Sequence, residues 1–251
     1  MVLDGRMPDR DADRELAAAS LGSASGRVVR TVDGFRGGDW DGPSLLPEWT
    51  RAHVVAHLAL NAEGMARALH GVVAPEDDDE PRTMYDSDDQ RARDIVELAG
   101  STASEIRDRL LGGVTILQEA LDRVPGDQWE TRVERTPGGR AIRVAAFPGM
   151  RWRELEIHHV DLDAGYDCAQ WSLPFAEHLL DAMTKRLAPE QAFEVKPLDS
   201  TRTWVLGDGP AEYPVPIVTG PAADLAWWLT GRQQPDTLSC SRGELPSIEG
   251  W

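Results

Sequence analysis

Cysteine is nearly absent: Cys168 and Cys240 are the only two in 251 residues. That excludes a disulfide framework and any zinc site built mainly on thiolates. Long apolar runs are absent as well. No stretch approaches the roughly 20 consecutive apolar residues of a membrane helix, and the opening "MVLDGRMPDRDADRE" has no apolar segment behind a basic start. Positive charge is scarce, with 26 basic residues against 43 acidic ones and a formal net charge of −17. Nucleic acid is therefore an unexpected partner, since phosphate binding depends on Lys and Arg. Anionic membrane surfaces are disfavoured for the same reason. A reducing cytoplasm is the expected setting. Any bound metal must rest on histidine and carboxylate.

What is present fits a globular chain with 41% hydrophobic residues, long enough for one large domain or two modest ones. Its first two-thirds reads as helical. Residues 11–32 suit one long helix despite Gly22 and Gly26. The Gly- and Pro-rich "DGFRGGDWDGPSLLPEW" follows as a loop. Thr50 is the expected N-cap of "RAHVVAHLALNAEGMARALHG", with Gly71 just past its end. Residues 72–90 read as a long loop whose acidic run, 74–80, is a solvated charge cluster. Helical periodicity resumes from Arg91 to about Val124 with a break near Gly100–Ser101, and Pro125–Gly126 ends it. A polar link containing "TPGGR" leads to a last helix over about 144–163. These four helices and one long crossover describe a four-helix bundle.

Beyond "GYDCAQW" the character changes. "SLPFAEHLLDAMTKRLA" is a helix, "TRTWVLGDG" and "YPVPIVTG" read as strands, and "PAADLAWWLTGR" is a helix opening at a proline. The expected class is α+β: a bundle over 1–166 and a small α+β domain over 167–251.

Chemistry concentrates in "RWRELEIHHVDLDAG". Glu154 and His158 are four residues apart and share one helix face. His53 and His57, at the same spacing, occupy the second helix. Facing helices of a bundle are where inward-projecting carboxylates and imidazoles hold metals. Two imidazoles, one carboxylate and open positions describe both a catalytic zinc site and a facial non-haem iron site. Spacing alone leaves open which of His53 and His57 takes part. His159 points about 100° away from His158 and reads as an orienting or packing residue. Glu156 reads as solvated. Asp161 reads as a surface carboxylate, with a hydrogen bond to a ligand imidazole as the alternative. Both cysteines read as structural.

The segments "LLPEWTRAHVVAHLALNAEGMARALHG", "MYDSDDQR", "RWRELEIHHVDL" and "LTGR…GELP…W" together resemble the mycothiol-dependent maleylpyruvate isomerase family. They do so in order and over nearly the whole chain. That resemblance implies a DinB-like four-helix bundle followed by a small α+β domain, with His57, Glu154 and His158 as metal ligands. His53 is then a neighbour. It further implies that Arg91 and Arg232 are active-site arginines, although position alone makes Arg91 a surface residue early in a helix and Arg232 a helix C-terminal cation. Two features depart from the pattern: the acidic loop, and Pro148–Gly149 of "FPGM", where the family helix runs uninterrupted. A proline in the first turn is tolerated, whereas a deeper one would kink the helix before Glu154.

The implied reaction is cis–trans isomerisation of maleylpyruvate to fumarylpyruvate, with zinc or another divalent metal and mycothiol as the thiol cofactor. A thiolate adds to the double bond, rotation follows, and the thiolate leaves. Metal coordination would ionise a thiol that is otherwise mostly protonated, and Arg91 and Arg232 would clamp an anionic substrate. Two alternatives stand beside it: a thiol S-transferase with the same metal site, which consumes its thiol and has no need of Arg91 and Arg232, and a non-catalytic ligand-binding bundle without a metal.

Overall fold

A computed structural model describes residues 10–74, 82–187, 192–207 and 215–248. The acidic run at 75–80 and parts of the two expected strands near 208–214 lie outside the described residues. The chain forms two compact units, Met1–Gly165 and Tyr166–Trp251.

In the first unit, α1 spans Arg10–Gly34 and α2 spans Arg51–Val73. Helix α3, Asp88–Ala99, and α4, Ala103–Asp122, follow, and α5 covers Phe147–Asp161. Helix α2 packs on α4, α3 and α5, while α1 packs mainly on α5. Small residues allow the tightest of these contacts. A Cβ on Gly113 of α4 would stand 3.1 Å from the Ala59 carbonyl and 3.2 Å from the Ala62 methyl, so a larger side chain would force the helices apart. Val54, Val55, Leu58, Met65 and Leu69 of α2 and Ile106, Leu110 and Leu117 of α4 are all buried, and these two helices pack together.

Several boundaries differ from the sequence expectation for local reasons. Helix α2 continues through Gly71 because Val72 is buried and carries the helix another turn. Helix α3 begins at Asp88, earlier than Arg91, because the Ser87 hydroxyl accepts from the Gln90 amide and Asp88 and Asp89 occupy the positive helix start. The "TPGGR" link is a hairpin: β1, Arg132–Glu134, pairs antiparallel with β2, Ala141–Arg143. Its β1 edge holds residues 83–85 through Met84 N to Glu134 O, 3.0 Å, and Tyr85 N to Arg135 O, 3.0 Å. Pro148 falls in the first turn of α5, where its missing N–H has no helical partner to lose, and the helix before Glu154 is continuous.

In the second unit, α6, Leu173–Arg186, starts at the Ser172 cap and packs on α7, Ala222–Leu229. Strands β3, Phe193–Pro197, β4, Trp204–Leu206, β5, Ile217–Gly220, and β6, Ser239–Cys240, form one sheet in the order β4-β3-β5-β6. Strands β3 and β5 run parallel, and the outer pairs run antiparallel. Strand β3, "FEVKP", was hidden by its charges: its alternation buries Phe193 and Val195 and turns Lys196 outward. The mixed fold is the α+β arrangement expected, a helical bundle followed by a small α+β unit.

Candidate metal centre

Helices α2 and α5 run antiparallel where they meet, and their contact is polar. His57 Nε2 lies 2.8 Å from Glu154 Oε2, and His158 Nε2 lies 3.4 Å from the same oxygen. The two imidazoles stand edge to face, with centroids 4.6 Å apart. One donor atom from each of the three residues falls within 4.8 Å of the others. Donors bound to a common ion by bonds of about 2.1 Å sit roughly 3 Å apart in tetrahedral or octahedral geometry. The observed spacing therefore fits a divalent cation with little adjustment. This is the only group of three or more histidine, cysteine or acidic side chains with that spacing among the described residues.

The start of α2 and the end of α5 are fastened together, which sets this geometry. Arg51 Nε donates to Leu162 O at 2.7 Å and Nη2 to Asp163 O at 2.7 Å, while Leu45 N donates to Asp161 O at 2.8 Å. Arg51 at the start of α2 and Leu45 in the loop before it thus satisfy carbonyls left over at the α5 terminus. Trp49 closes one side, its ring 5.8 Å from the His57 ring. His53 takes another task. Its Nδ1 accepts from the Thr50 amide at 3.3 Å and lies 2.8 Å from the Thr50 hydroxyl, so it caps the helix start.

Each member of the cluster is held electrically. Burial drives the His57 pKa down to about 4, with the neighbouring His158 and Arg91 charges adding to the effect, so this ring is neutral near pH 7. For His158 burial also acts downward, but hydrogen bonds to Asp161 and Glu154 outweigh it and the net shift is upward. Burial would raise Glu154, yet its bonds to His158 and His57 hold it well below the usual carboxylate range. His158 Nδ1 lies 2.8 Å from Asp161 Oδ2. Because a carboxylate only accepts, Nδ1 carries the ring proton and Nε2 presents a lone pair when the ring is neutral.

Asp161 and Glu156 correct the sequence reading. Asp161 is completely buried against His158, and Glu156, expected to be solvated, is buried and paired with Arg27. His159 faces α1, with Nε2 2.7 Å from the Thr31 hydroxyl. Helix α5 is enclosed rather than half exposed, so each polar residue meets a different neighbour. The three-residue step from His158 to Asp161 was the available signal for that hydrogen bond.

Arg91 is half-buried in the first turn of α3. Its Nη2 lies 2.9 Å from His57 Nδ1, and its guanidinium lies 5.5 Å from the Tyr85 ring centroid. Sequence reasoning passed over Arg151 altogether. It is fully buried one turn before Glu154, and Nη1 donates to Leu58 O and Asn61 Oδ1, both at 2.9 Å.

In the second unit, Arg232 lies beyond the end of α7 with Nη1 donating to Thr230 O at 3.2 Å. Its guanidinium is 5.6 Å from the Trp227 ring centroid. Cys168 donates to Asp224 at 3.4 Å, and burial together with that carboxylate pushes its thiol up to about 12. At neutral pH it is a protonated thiol and a poor nucleophile. No helix among the described residues is long and apolar enough to cross a membrane.

Residues 21–163 match the family profile described as the mycothiol maleylpyruvate isomerase N-terminal domain, and residues 170–249 match the MDMPI C-terminal domain. Two solved structures, a mycothiol-dependent maleylpyruvate isomerase and a histidine-to-alanine variant of it, superpose with a TM-score of 0.81. Each is 23% identical and covers 100% of both chains, a likeness of fold. Among curated proteins none matches the sequence. On the two profile matches, which together span most of its length, the chain belongs to the mycothiol maleylpyruvate isomerase family.

Proposed function

We propose that this protein is a metal- and thiol-dependent cis–trans isomerase that converts maleylpyruvate to fumarylpyruvate with mycothiol in the cytoplasm. The observation that carries the reading is the convergence of His57, Glu154 and His158 from α2 and α5, in a chain of this family. Zinc suits the set best for chemistry without redox change. A bound divalent ion would lower the thiol pKa and so supply thiolate at neutral pH.

The protein's own groups do the rest. Asp161 fixes the His158 tautomer so that Nε2 faces the centre. Arg91 donates to His57 Nδ1 only while that nitrogen lacks a proton. If His57 served as a ligand through Nε2, its proton would belong on Nδ1, and Arg91 would then be free to turn toward an anionic substrate. Arg91 and Arg232 are assigned to the carboxylates of that substrate and to the enolate charge that grows as sulfur adds. In such a reaction the thiolate would leave again after bond rotation, so the thiol would be conserved.

The test is purified protein with zinc, mycothiol and maleylpyruvate, following both the trans product and free thiol. Product formation at constant thiol supports the isomerase. Stoichiometric thiol loss identifies an S-transferase, and absence of metal uptake identifies a binding module.

A further inference from the structure

One turn from the three candidate ligands, α2 and α5 meet in a second polar rung. On α5, positions 151, 154 and 158 form one stripe, and on α2, positions 57 and 61 form another. His57 meets Glu154 and His158, and the next rung joins Asn61 and Leu58 O to Arg151. Arg151 is 2% exposed, Asn61 is 4% exposed, and the Arg151 partners are neutral. No described carboxylate stands within salt-bridge distance of Arg151, and its Nη2, also buried, has no hydrogen-bond partner among the described residues.

A structural tie between two helices does not need this. Burying a guanidinium against neutral acceptors costs more than an apolar side chain of similar volume. Its pKa, lowered to about 10 by burial against the opposing pull of the Glu154 carboxylate, leaves it protonated at neutral pH. The charges around the centre then explain the expense. Arg91 and Arg151 balance Glu154 and Asp161, so a divalent ion added to the cluster would leave its own double charge unmatched. The deficit is met by anions arriving as ligands.

We propose that Arg151 is a positioning residue acting through its fixed charge, which makes the metal-loaded centre prefer anionic ligands, such as a thiolate or carboxylate, over neutral ones. The inference rests on the metal reading above. Arg151 works from beneath the ligand rung, whereas Arg91 contacts the ligand His57 directly.

The test uses cobalt(II)-loaded protein and its visible spectrum, titrated with azide as an anionic probe and imidazole as a neutral one. In R151M, azide binding weakens by roughly tenfold or more while imidazole binding stays within about twofold of the parent. R151K, which keeps the charge, retains azide affinity within about threefold. R151Q serves as the neutral variant if R151M does not fold. Equal weakening of both probes would mean distorted ligand geometry, and unchanged azide binding would mean no electrostatic role. Either result overturns the proposal, as does R151K behaving like R151M. A parent protein that takes up no cobalt overturns the metal reading and this one together, whereas a loaded parent with indifferent variants overturns only the role of Arg151.

Discussion

Replacing Asp161 by asparagine tests the centre without touching a candidate ligand. The carboxylate is wholly buried and sits 2.8 Å from His158 Nδ1. Asparagine keeps the volume but offers an amide donor on one side, which can pair with an unprotonated Nδ1 and leave the proton on Nε2. The ring then presents N–H where the metal needs a lone pair. Losing such a hydrogen-bonded carboxylate typically costs 10–100-fold in metal affinity, or about 1.4–2.7 kcal/mol. The pH dependence gives the experiment a second axis. In the parent the His158 pKa is raised, so a metal must displace a proton until the pH passes above the ordinary histidine value. Affinity therefore climbs with pH in that range. In D161N the proton is held less firmly, so the deficit should be largest at high pH and shrink in acid. Competition with a chromogenic chelator at several pH values measures both effects. A folded D161N with parental affinity throughout would refute the coupling of Asp161 to the metal through His158.

Alanine at His57, Glu154 or His158 should abolish stoichiometric metal and nearly all turnover while the far-ultraviolet circular dichroism persists. Full metal content in H57A by elemental analysis would exclude that residue as a ligand. H53A should be milder, losing about 1 kcal/mol of helix-cap stability in urea denaturation while keeping metal; the reverse order would exchange the two imidazoles. R232A should keep its metal but lose kcat, and unchanged kinetics would remove Arg232 from the site. His159 sets an acid limit on stability. Its folded pKa, lowered from 6.5 to about 4 by burial and by the Arg27 and Arg30 charges, lies below that of the unfolded chain. The stability tied to its neutral form is complete above pH 6.5 and is lost as the pH falls through 4. The integrated effect is about 3 kcal/mol. H159F should flatten the urea-derived stability profile in that window, and an unchanged slope would refute the assignment.

How much of this was legible from sequence depended on whether the signal was local. The Thr50 start of α2, the break at Gly100–Ser101 and the proline-led α7 were readable because caps and breakers act within a few residues. The hairpin at 132–143 and strand β3 were not, because "RVE", "AIR" and "FEVKP" mix charges into short runs whose pairing partners are distant. At the centre, spacing put Glu154 and His158 on one face but gave His53 and His57 equal standing. The family resemblance chose His57, and the fold gives the physical reason: His53 is spent on the Thr50 cap, while His57 lies one turn deeper beside Glu154.

Helix α5 shows why its polar residues resisted interpretation one at a time. A helix with arginine, glutamate, two histidines and aspartate reads as partly solvated, yet it is enclosed by α1 on one side and α2 on another. Each of these polar groups has a partner: Glu156 meets Arg27, His159 meets Thr31, Asp161 meets His158, and Glu154 meets both imidazoles. Burying so many ionisable groups is costly, and for stability alone apolar residues would serve better. What the pairs give in return is orientation, since each fixes one rotamer or one tautomer on the helix that carries two of the three candidate ligands. Arg151 is the member of this set whose charge has no carboxylate of its own. Its guanidinium, buried one turn from the candidate ligands against neutral acceptors, adds positive charge from which an anionic ligand at the centre would gain.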